Sequence, residues 1–496
     1  MSLTVVIGGT RSGKSVHAER LALAAGLPVR YVATAIDADG SMADRIATHV
    51  ARRPTPWETV DAGDSLADSV LAGGCTLIDG LGVWLATPRP EWIGPLIAAA
   101  AHDQVIVVAE EAGLGLLPLD RVSQDWLEAL GAAAQRLSAA ADRVEFVLAG
   151  RAITLHSSAR GPDPSLRHHG DRDVRPGEAD HAVNVMSGGP PGWLREALIA
   201  ALDTDAERYP DDTQARNVTA ARHGRDPDEI VVTNGAAEAL WLLGPSLRPR
   251  LAACVHPGFT EAEAALHVHG IPVVRVLREP EDQFALDPRA VPDSADLVIV
   301  VNPSWTLDPA HSLLALRRPG RVLVIDESFM DMVPSQAGSL AGERLDDVIV
   351  IRSLTKVLSV PGLRVGYALA PSALAARLRD ARPPWSANAL ALTALTAAAA
   401  HPAELAALAE RAVAERLDLV ERLETIAGLR VWPSAANFCL IEVPDGPRVV
   451  GALHRDALAV RPASSFPGLE QGHIRITARG PEANARLVNA LQEALA

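Results

Sequence analysis

The 496 residues predict an α/β chain: two successive domains on largely parallel sheets, the second carrying a smaller subdomain at its C-terminal end. Three observations predict it. The length exceeds what one hydrophobic core organises. Short apolar runs alternate with helix-length segments through most of the chain, the pattern of strands covered by crossover helices. The alternation is broken by a Gly, Pro, Ser and charge-rich stretch, His156 through Arg175, the one mid-chain segment that reads as a linker.

The expected organisation is a first domain over 1–155, a linker over 156–175 and a second domain over 176–496, with the subdomain at about 403–496. Strands of the first domain fall at 3–7, 29–35, 75–81, 104–109 and 144–149. Those of the second fall near 229–233, 251–255, 296–301, 321–325 and 347–351. The mixed run around 403–428 reads as a helix, and Leu429–Val443 and His473–Ala478 as strands of the subdomain.

Composition narrows the class. With 48% hydrophobic and 22% charged residues, and no segment resembling ~20 continuous apolar residues, membrane insertion is not expected. Met1 runs straight into Leu3-Thr4-Val5-Val6-Ile7 without a basic leader, which predicts a cytoplasmic address. A formal charge of −15 disfavours nonspecific nucleic-acid binding while leaving small anionic ligands open. Cys75, Cys254 and Cys439 are odd in number and set in apolar surroundings, which suits buried thiols better than disulfides or a zinc site.

Gly8-Gly9-Thr10-Arg11-Ser12-Gly13-Lys14-Ser15 fits the phosphate-loop pattern, follows an apolar strand and precedes a helical pattern. Its glycines let backbone N–H groups converge on phosphate oxygens. Lys14 supplies positive charge to the terminal phosphates, and Ser15 is a ligand for Mg²⁺. Asp79, ending the run Cys75-Thr76-Leu77-Ile78, is the carboxylate expected to hold the same Mg²⁺ through a water. With His17-Ala18-Glu19, Tyr31-Val32-Ala33-Thr34-Ala35, Met42-Ala43-Asp44-Arg45-Ile46 and Gly113-Leu114-Gly115-Leu116-Leu117-Pro118, the domain resembles the adenosylcobinamide kinase/adenosylcobinamide-phosphate guanylyltransferase family to about residue 152. That resemblance implies GTP or ATP with Mg²⁺, a corrinoid substrate, and guanylylation of His49. The chain departs from the family pattern at Asp79-Gly80-Leu81-Gly82, at Glu110-Glu111-Ala112-Gly113, and in a shortened helical stretch before Gln104.

In the second half, Ser353-Leu354-Thr355-Lys356 is followed by Pro361-Gly362-Leu363-Arg364-Val365-Gly366-Tyr367, and Asp326 ends an apolar strand thirty positions before Lys356. A lysine amine, a carboxylate for a protonated pyridine nitrogen, and Ser353, Arg364 and the helix opening Gly235-Ala236-Ala237 for a phosphate together suit pyridoxal phosphate. Tyr209-Pro210-Asp211, Asn234-Gly235-Ala236-Ala237-Glu238 and Ser434-Ala435-Ala436-Asn437-Phe438 complete a resemblance to fold-type I aminotransferases over about 168–495. The branch most resembled contains threonine-phosphate decarboxylase and histidinol-phosphate aminotransferase.

That resemblance implies a homodimer in which Tyr209 reaches the neighbouring subunit's cofactor phosphate. It gives Arg475 to the substrate carboxylate and places Asn437 beside the substrate. The family's Asn-Pro-x-Asn-Pro-Thr-Gly loop is contracted to Asn302-Pro303-Ser304-Trp305-Thr306, so that either Asn302 replaces the usual contact with the cofactor's ring oxygen or that contact is absent. The two resemblances converge on cobalamin biosynthesis. Threonine phosphate would be decarboxylated to aminopropanol phosphate, and cobinamide activated by nucleotide. Two alternatives stay open: an aminotransferase of another amino acid, and a PLP enzyme whose N-terminal module senses nucleotide without turnover.

Overall fold

The computed structural model describes residues 2–34, 57–87, 89, 91–115, 118–157, 164–205 and 207–496. The chain divides into two compact units, 1–161 and 162–496. The break falls inside the stretch read as a linker.

The first unit is a seven-stranded sheet of β1 (Leu3–Gly8), β2 (Val29–Ala33), β3 (Glu58–Asp61), β4 (Cys75–Asp79), β5 (Gln104–Glu110), β6 (Arg143–Leu148) and β7 (Arg151–Ser157). The order is β3-β2-β4-β5-β1-β6-β7, parallel except for β7. Val5, Val6, Leu77, Ile78, Ile106 and Val107 are inaccessible, as continuous apolar strands covered on both faces must be. Two strands escape sequence reading. The edge strand β3, Glu-Thr-Val-Asp, is mostly exposed and carries no apolar alternation. The other, β7, returns from β6 through Ala149–Gly150, both with positive φ (50° and 76°), a tight hairpin. Its Ile153 and Leu155 face solvent, so its pattern points to no core.

The second unit is built on β9 (Ile230–Asn234), β10 (Ala252–His256), β11 (Val273–Leu277), β12 (Leu297–Val301), β13 (Val322–Glu327), β14 (Val348–Ser353) and β15 (Val365–Leu369). Their order is β11-β10-β12-β13-β14-β15-β9, with β15 antiparallel to both neighbours. Every residue of β12 and β14 is buried. The register pairs Val301 with Asp326, Asp326 with Ile351, and Ser353 with Gly366. The ends of β12, β13 and β14 therefore open onto one edge of the sheet, where α/β folds place their ligands.

The helical reading around 403–428 corresponds to Pro402–Leu423. Beyond it β16 (Arg430–Pro433), β17 (Phe438–Glu442), β19 (Arg461–Pro462) and β20 (His473–Thr477) form an antiparallel sheet, while β18 (Leu458–Ala459) pairs with β8 (Ala179–Asp180). Among the described residues no single helix is long and apolar enough to cross a membrane; Ala389–Ala400 and Pro402–Leu423 pass only as a pair bent by 92°. All three cysteines are buried and free, and burial pushes Cys75 and Cys439 up to about 12.

Candidate functional sites

In the first unit the phosphate loop leaves β1 and enters the helix Lys14–Ala24 at Gly13, whose φ of 93° is the left-handed backbone glycine accepts without strain. The Lys14 side chain reaches back to the Gly9 carbonyl (3.4 Å), and no carboxylate pairs with it among the described residues. Ser15 Oγ donates to Asp79 Oδ1 at 2.9 Å, which brings the two expected Mg²⁺ ligands together. The hydroxyl of Tyr31 donates to Asp79 Oδ2 at 2.5 Å, and Thr34 Oγ1 to the Asp79 carbonyl at 2.7 Å. Behind the loop, His17 is hydrogen-bonded to buried Glu145, which also pairs with Arg143. His49 lies outside the described residues.

Two departures from the family pattern explain each other. Glu110, at the end of β5, accepts the Gly82 N–H at 2.6 Å, and a Cβ at position 82 would stand 2.6 Å from that same oxygen. Trp126 Nε1 closes the arrangement by donating to the Gly82 carbonyl (2.8 Å). Without a side chain, residue 82 admits the carboxylate; with one, the carboxylate has to move.

In the second unit a cavity of about 570 Å³ is lined by Asp326, Ser353, Lys356, Arg364, Arg475, Ala236 and Ala237, all expected from sequence. Lys356 and Asp326 thus face the same space. Burial holds the lysine amine down at about 8, opposed by the nearby Asp326 charge and reinforced by Arg364 and Arg475. Its Nζ stands 4.6 Å over the Phe329 ring. Asp326 is buried, and burial raises its pKa against hydrogen bonds to Oδ1 from the Ser328 N–H (3.0 Å) and hydroxyl (2.5 Å). No hydrogen bond engages Oδ2 among the described residues, so that oxygen stays available to a proton on an aromatic nitrogen.

Arg364 packs over the start of helix Gly235–Leu247. A Cβ at Gly235 would meet its guanidinium at 2.8 Å, and one at Gly366 would meet the Gly235 carbonyl carbon at 2.5 Å. Two glycines therefore let β15 and the arginine close on a helix terminus whose first N–H groups have no partner within the helix. A charged guanidinium, a helix N-terminus and the Ser353 hydroxyl make an anion cradle at one end of the cavity. The amine and the open carboxylate oxygen face the same cavity. These residues fit pyridoxal phosphate.

Four expected residues do not line the cavity: Gly235, which lies against the Arg364 guanidinium, and Asn302, Asn437 and Tyr209. Asn302 is fully buried, and its amide is spent on the backbone of Asp308, accepting from its N–H (2.9 Å) and donating to its carbonyl (3.2 Å). The assignment of Asn302 to the ring oxygen is therefore corrected to the other reading, an absent contact; the loop instead presents Pro303, Ser304 and Trp305 to the cavity. Asn437 is buried against Met186. Tyr209 is 78% exposed and stacked on Trp385 at 4.5 Å.

The stretch 156–175 holds the division between the units, and both of its ends belong to the folded units. His156 and Ser157 belong to β7, and His168 to Asp171 line the second unit's cavity. Arg461 ties this segment down through the His168 carbonyl (2.6 Å) and Asp173 (2.7 Å), while His169 pairs with Glu261 at 2.7 Å. Polar, Gly-rich composition marks a segment without a core of its own, not one without contacts. Arg461, another lining residue the sequence reading passed over, sits beside Arg475. Burial and Arg461 press on the Arg475 pKa, yet a guanidinium keeps its charge at neutral pH.

One compositional signal could have found both sites. Lysine and arginine together number 46, and only two are lysines, Lys14 and Lys356. Arginine serves wherever a positive charge suffices. An ammonium point charge among phosphates and a deprotonatable amine are the tasks a guanidinium does not perform.

Fold and sites define a pyridoxal-phosphate enzyme of the aminotransferase class, preceded by a P-loop nucleotide-binding domain. Residues 180–491 match the aminotransferase class I and II family, and the chain belongs to it. Residues 4–155 match the cobinamide kinase / cobinamide phosphate guanyltransferase family. The chain is 44% identical over 326 residues to a histidinol-phosphate aminotransferase of Mycobacterium tuberculosis, covering 64% of this chain and 88% of that protein. It is 31% identical to the threonine-phosphate decarboxylase of Salmonella typhimurium, covering 64% and 91%. To the adenosylcobalamin biosynthesis bifunctional protein of Leptospira interrogans it is 27% identical, covering 63% of this chain and 38% of that one. Among solved structures, L-threonine-O-3-phosphate decarboxylase from Porphyromonas gingivalis shares the fold with a TM-score of 0.58 at 24% identity, covering 63% and 98%.

Proposed function

We propose that the chain is a bifunctional enzyme of cobalamin biosynthesis. Its second unit would decarboxylate threonine phosphate to aminopropanol phosphate, and its first would phosphorylate and guanylylate adenosylcobinamide using GTP or ATP with Mg²⁺. The observation that carries this reading is the pairing in one polypeptide of a cobinamide kinase-family domain with a PLP enzyme similar to threonine-phosphate decarboxylase. The product of the second unit would be the aminoalcohol that a corrinoid pathway attaches, which gives the fusion a chemical reason.

When bound, pyridoxal phosphate supplies an electron sink for the charge left at the substrate Cα. Lys356, half-neutral near pH 8, is the amine that holds the cofactor and then moves a proton at Cα. The open oxygen of Asp326 keeps a proton on the ring nitrogen. Arg475 fixes the substrate carboxylate, setting which bond at Cα stands perpendicular to the ring. Phe329, Phe438 and Phe466 wall the cavity and exclude water. In the first unit Lys14 meets the terminal phosphates, Ser15 and Asp79 hold Mg²⁺, and His49 accepts the nucleotidyl group. Exposed Tyr209 suits a reach into a second subunit, and we infer a cytoplasmic homodimer.

A second reading, an aminotransferase acting on another amino acid, is favoured by the 44% identity to the mycobacterial histidinol-phosphate aminotransferase. Product analysis of holoenzyme with threonine phosphate separates them. The proposal expects CO₂ and aminopropanol phosphate. Amino transfer to a keto acid without CO₂ selects the second reading.

A further inference from the structure

Two hydroxyls donate to the Asp79 carboxylate. Its Oδ1 accepts from Ser15 Oγ, a group a bound Mg²⁺ would claim, whereas its Oδ2 accepts from the Tyr31 hydroxyl at 2.5 Å. The second contact follows from sheet register. Ala33 on β2 pairs with Asp79 on β4, so Tyr31, two residues earlier on the same strand, shares that face of the sheet. It stands one diagonal step away, within reach of a long aromatic side chain. Tyr31 is 2% exposed, with its ring packed in the core that includes Val6, Leu77 and Val108. The phenol therefore approaches the carboxylate from a fixed direction. Thr34 locks the backbone beneath, its Oγ1 donating to the carbonyls of Asp79 (2.7 Å) and Gly80 (2.8 Å).

We propose that Tyr31 is a positioning residue for the metal of the nucleotide site: its phenol holds Asp79 Oδ2 so that Oδ1 is aimed at the Mg²⁺ carried by the nucleotide. A hydroxyl donated to a carboxylate stabilises the ionised form and removes its rotational freedom. With the plane of the carboxylate set by the phenol, Asp79 does not have to find its rotamer at the moment Mg²⁺ binds. The inference rests on the reading of the first unit as a Mg-nucleotide site.

The test compares GTP affinity of the full chain with and without Mg²⁺ for wild type, Tyr31→Phe, Asp79→Asn and the double variant. Tyr31→Phe is expected to weaken Mg-GTP binding about tenfold, the value of one hydrogen bond to a charged group. Metal-free GTP binding, which runs through the loop N–H groups and Lys14, stays unchanged and reports that the domain is folded. In the double variant the loss is no larger than in Asp79→Asn alone, because Tyr31 acts through that carboxylate. Equal weakening with and without Mg²⁺, no weakening at all, or additive losses in the double variant would overturn the role. If wild type itself binds neither GTP nor ATP, the nucleotide-site reading fails, whatever Tyr31 does.

Discussion

The two sites are assembled in opposite ways. The phosphate loop is a run of consecutive residues from Gly8 to Ser15, and its geometry is the local consequence of a strand, a glycine turn and a helix. The cavity of the second unit draws its wall from His168, near the start of that unit, to Arg475, near its end, so no short window contains it. A contiguous site tolerates change elsewhere in its domain, whereas a dispersed one depends on the register of β12, β13, β14 and β15. The first is readable as a motif; the second is readable only where a strand end carries a residue with no other reason to be there.

If the sites are also independent in function, variants should separate them. Asp326→Asn removes the carboxylate facing the ring nitrogen and should lower turnover in the second unit on the order of 10³-fold. Steady-state kinetics should show this while GTP affinity holds. Lys14→Ala should weaken nucleotide binding about ten- to a hundredfold, through loss of a charged contact to phosphate. Titration calorimetry measures it, and the visible absorbance of the PLP half should not move. A loss that crossed from one unit to the other would break the comparison.

Smaller effects sharpen it. Gly82→Ala places a methyl against the Glu110 carboxylate and should cost the first unit about 1–3 kcal/mol by calorimetric unfolding. The lowered pKa of Lys356 makes the neutral amine available above about pH 8 rather than above the ordinary lysine value. Cofactor uptake by the apoenzyme, followed by absorbance, should therefore rise with pH through that region and level off before pH 10 is reached.

Legibility followed the same division. Ten strands on the two main sheets were readable as apolar runs between helix-length segments: nine are interior, where burial on both faces needs no alternation, and the tenth, β9, is an edge strand whose first four residues are nonetheless buried. The β3 and β11 edges and the β7 hairpin arm were not: a strand with a solvent face or a polar composition carries a weaker signal. Glycine hid β15, since Gly366, in mid-strand, is there for the approach of Gly235 and not for strand propensity. At the site, Lys356, Asp326, Ser353 and Arg364 were legible as a chemical set. Asn302 was misplaced because nothing in a contracted loop reveals that its amide must bracket Asp308. The segment around His168 and His169 was missed because its contacts, to Arg461 and Glu261, are almost a hundred residues away or more.

The chemistry of the second unit requires a covalent attachment of pyridoxal phosphate to residue 356, and the scarcity of lysine makes the measurement clean. Purified holoenzyme is reduced with borohydride, digested and analysed by mass spectrometry. The predicted result is a single pyridoxyl-modified lysine, Lys356, with Lys14 unmodified. A chain that takes up no cofactor, or a label that settles on Lys14 while Lys356 stays bare, would contradict it.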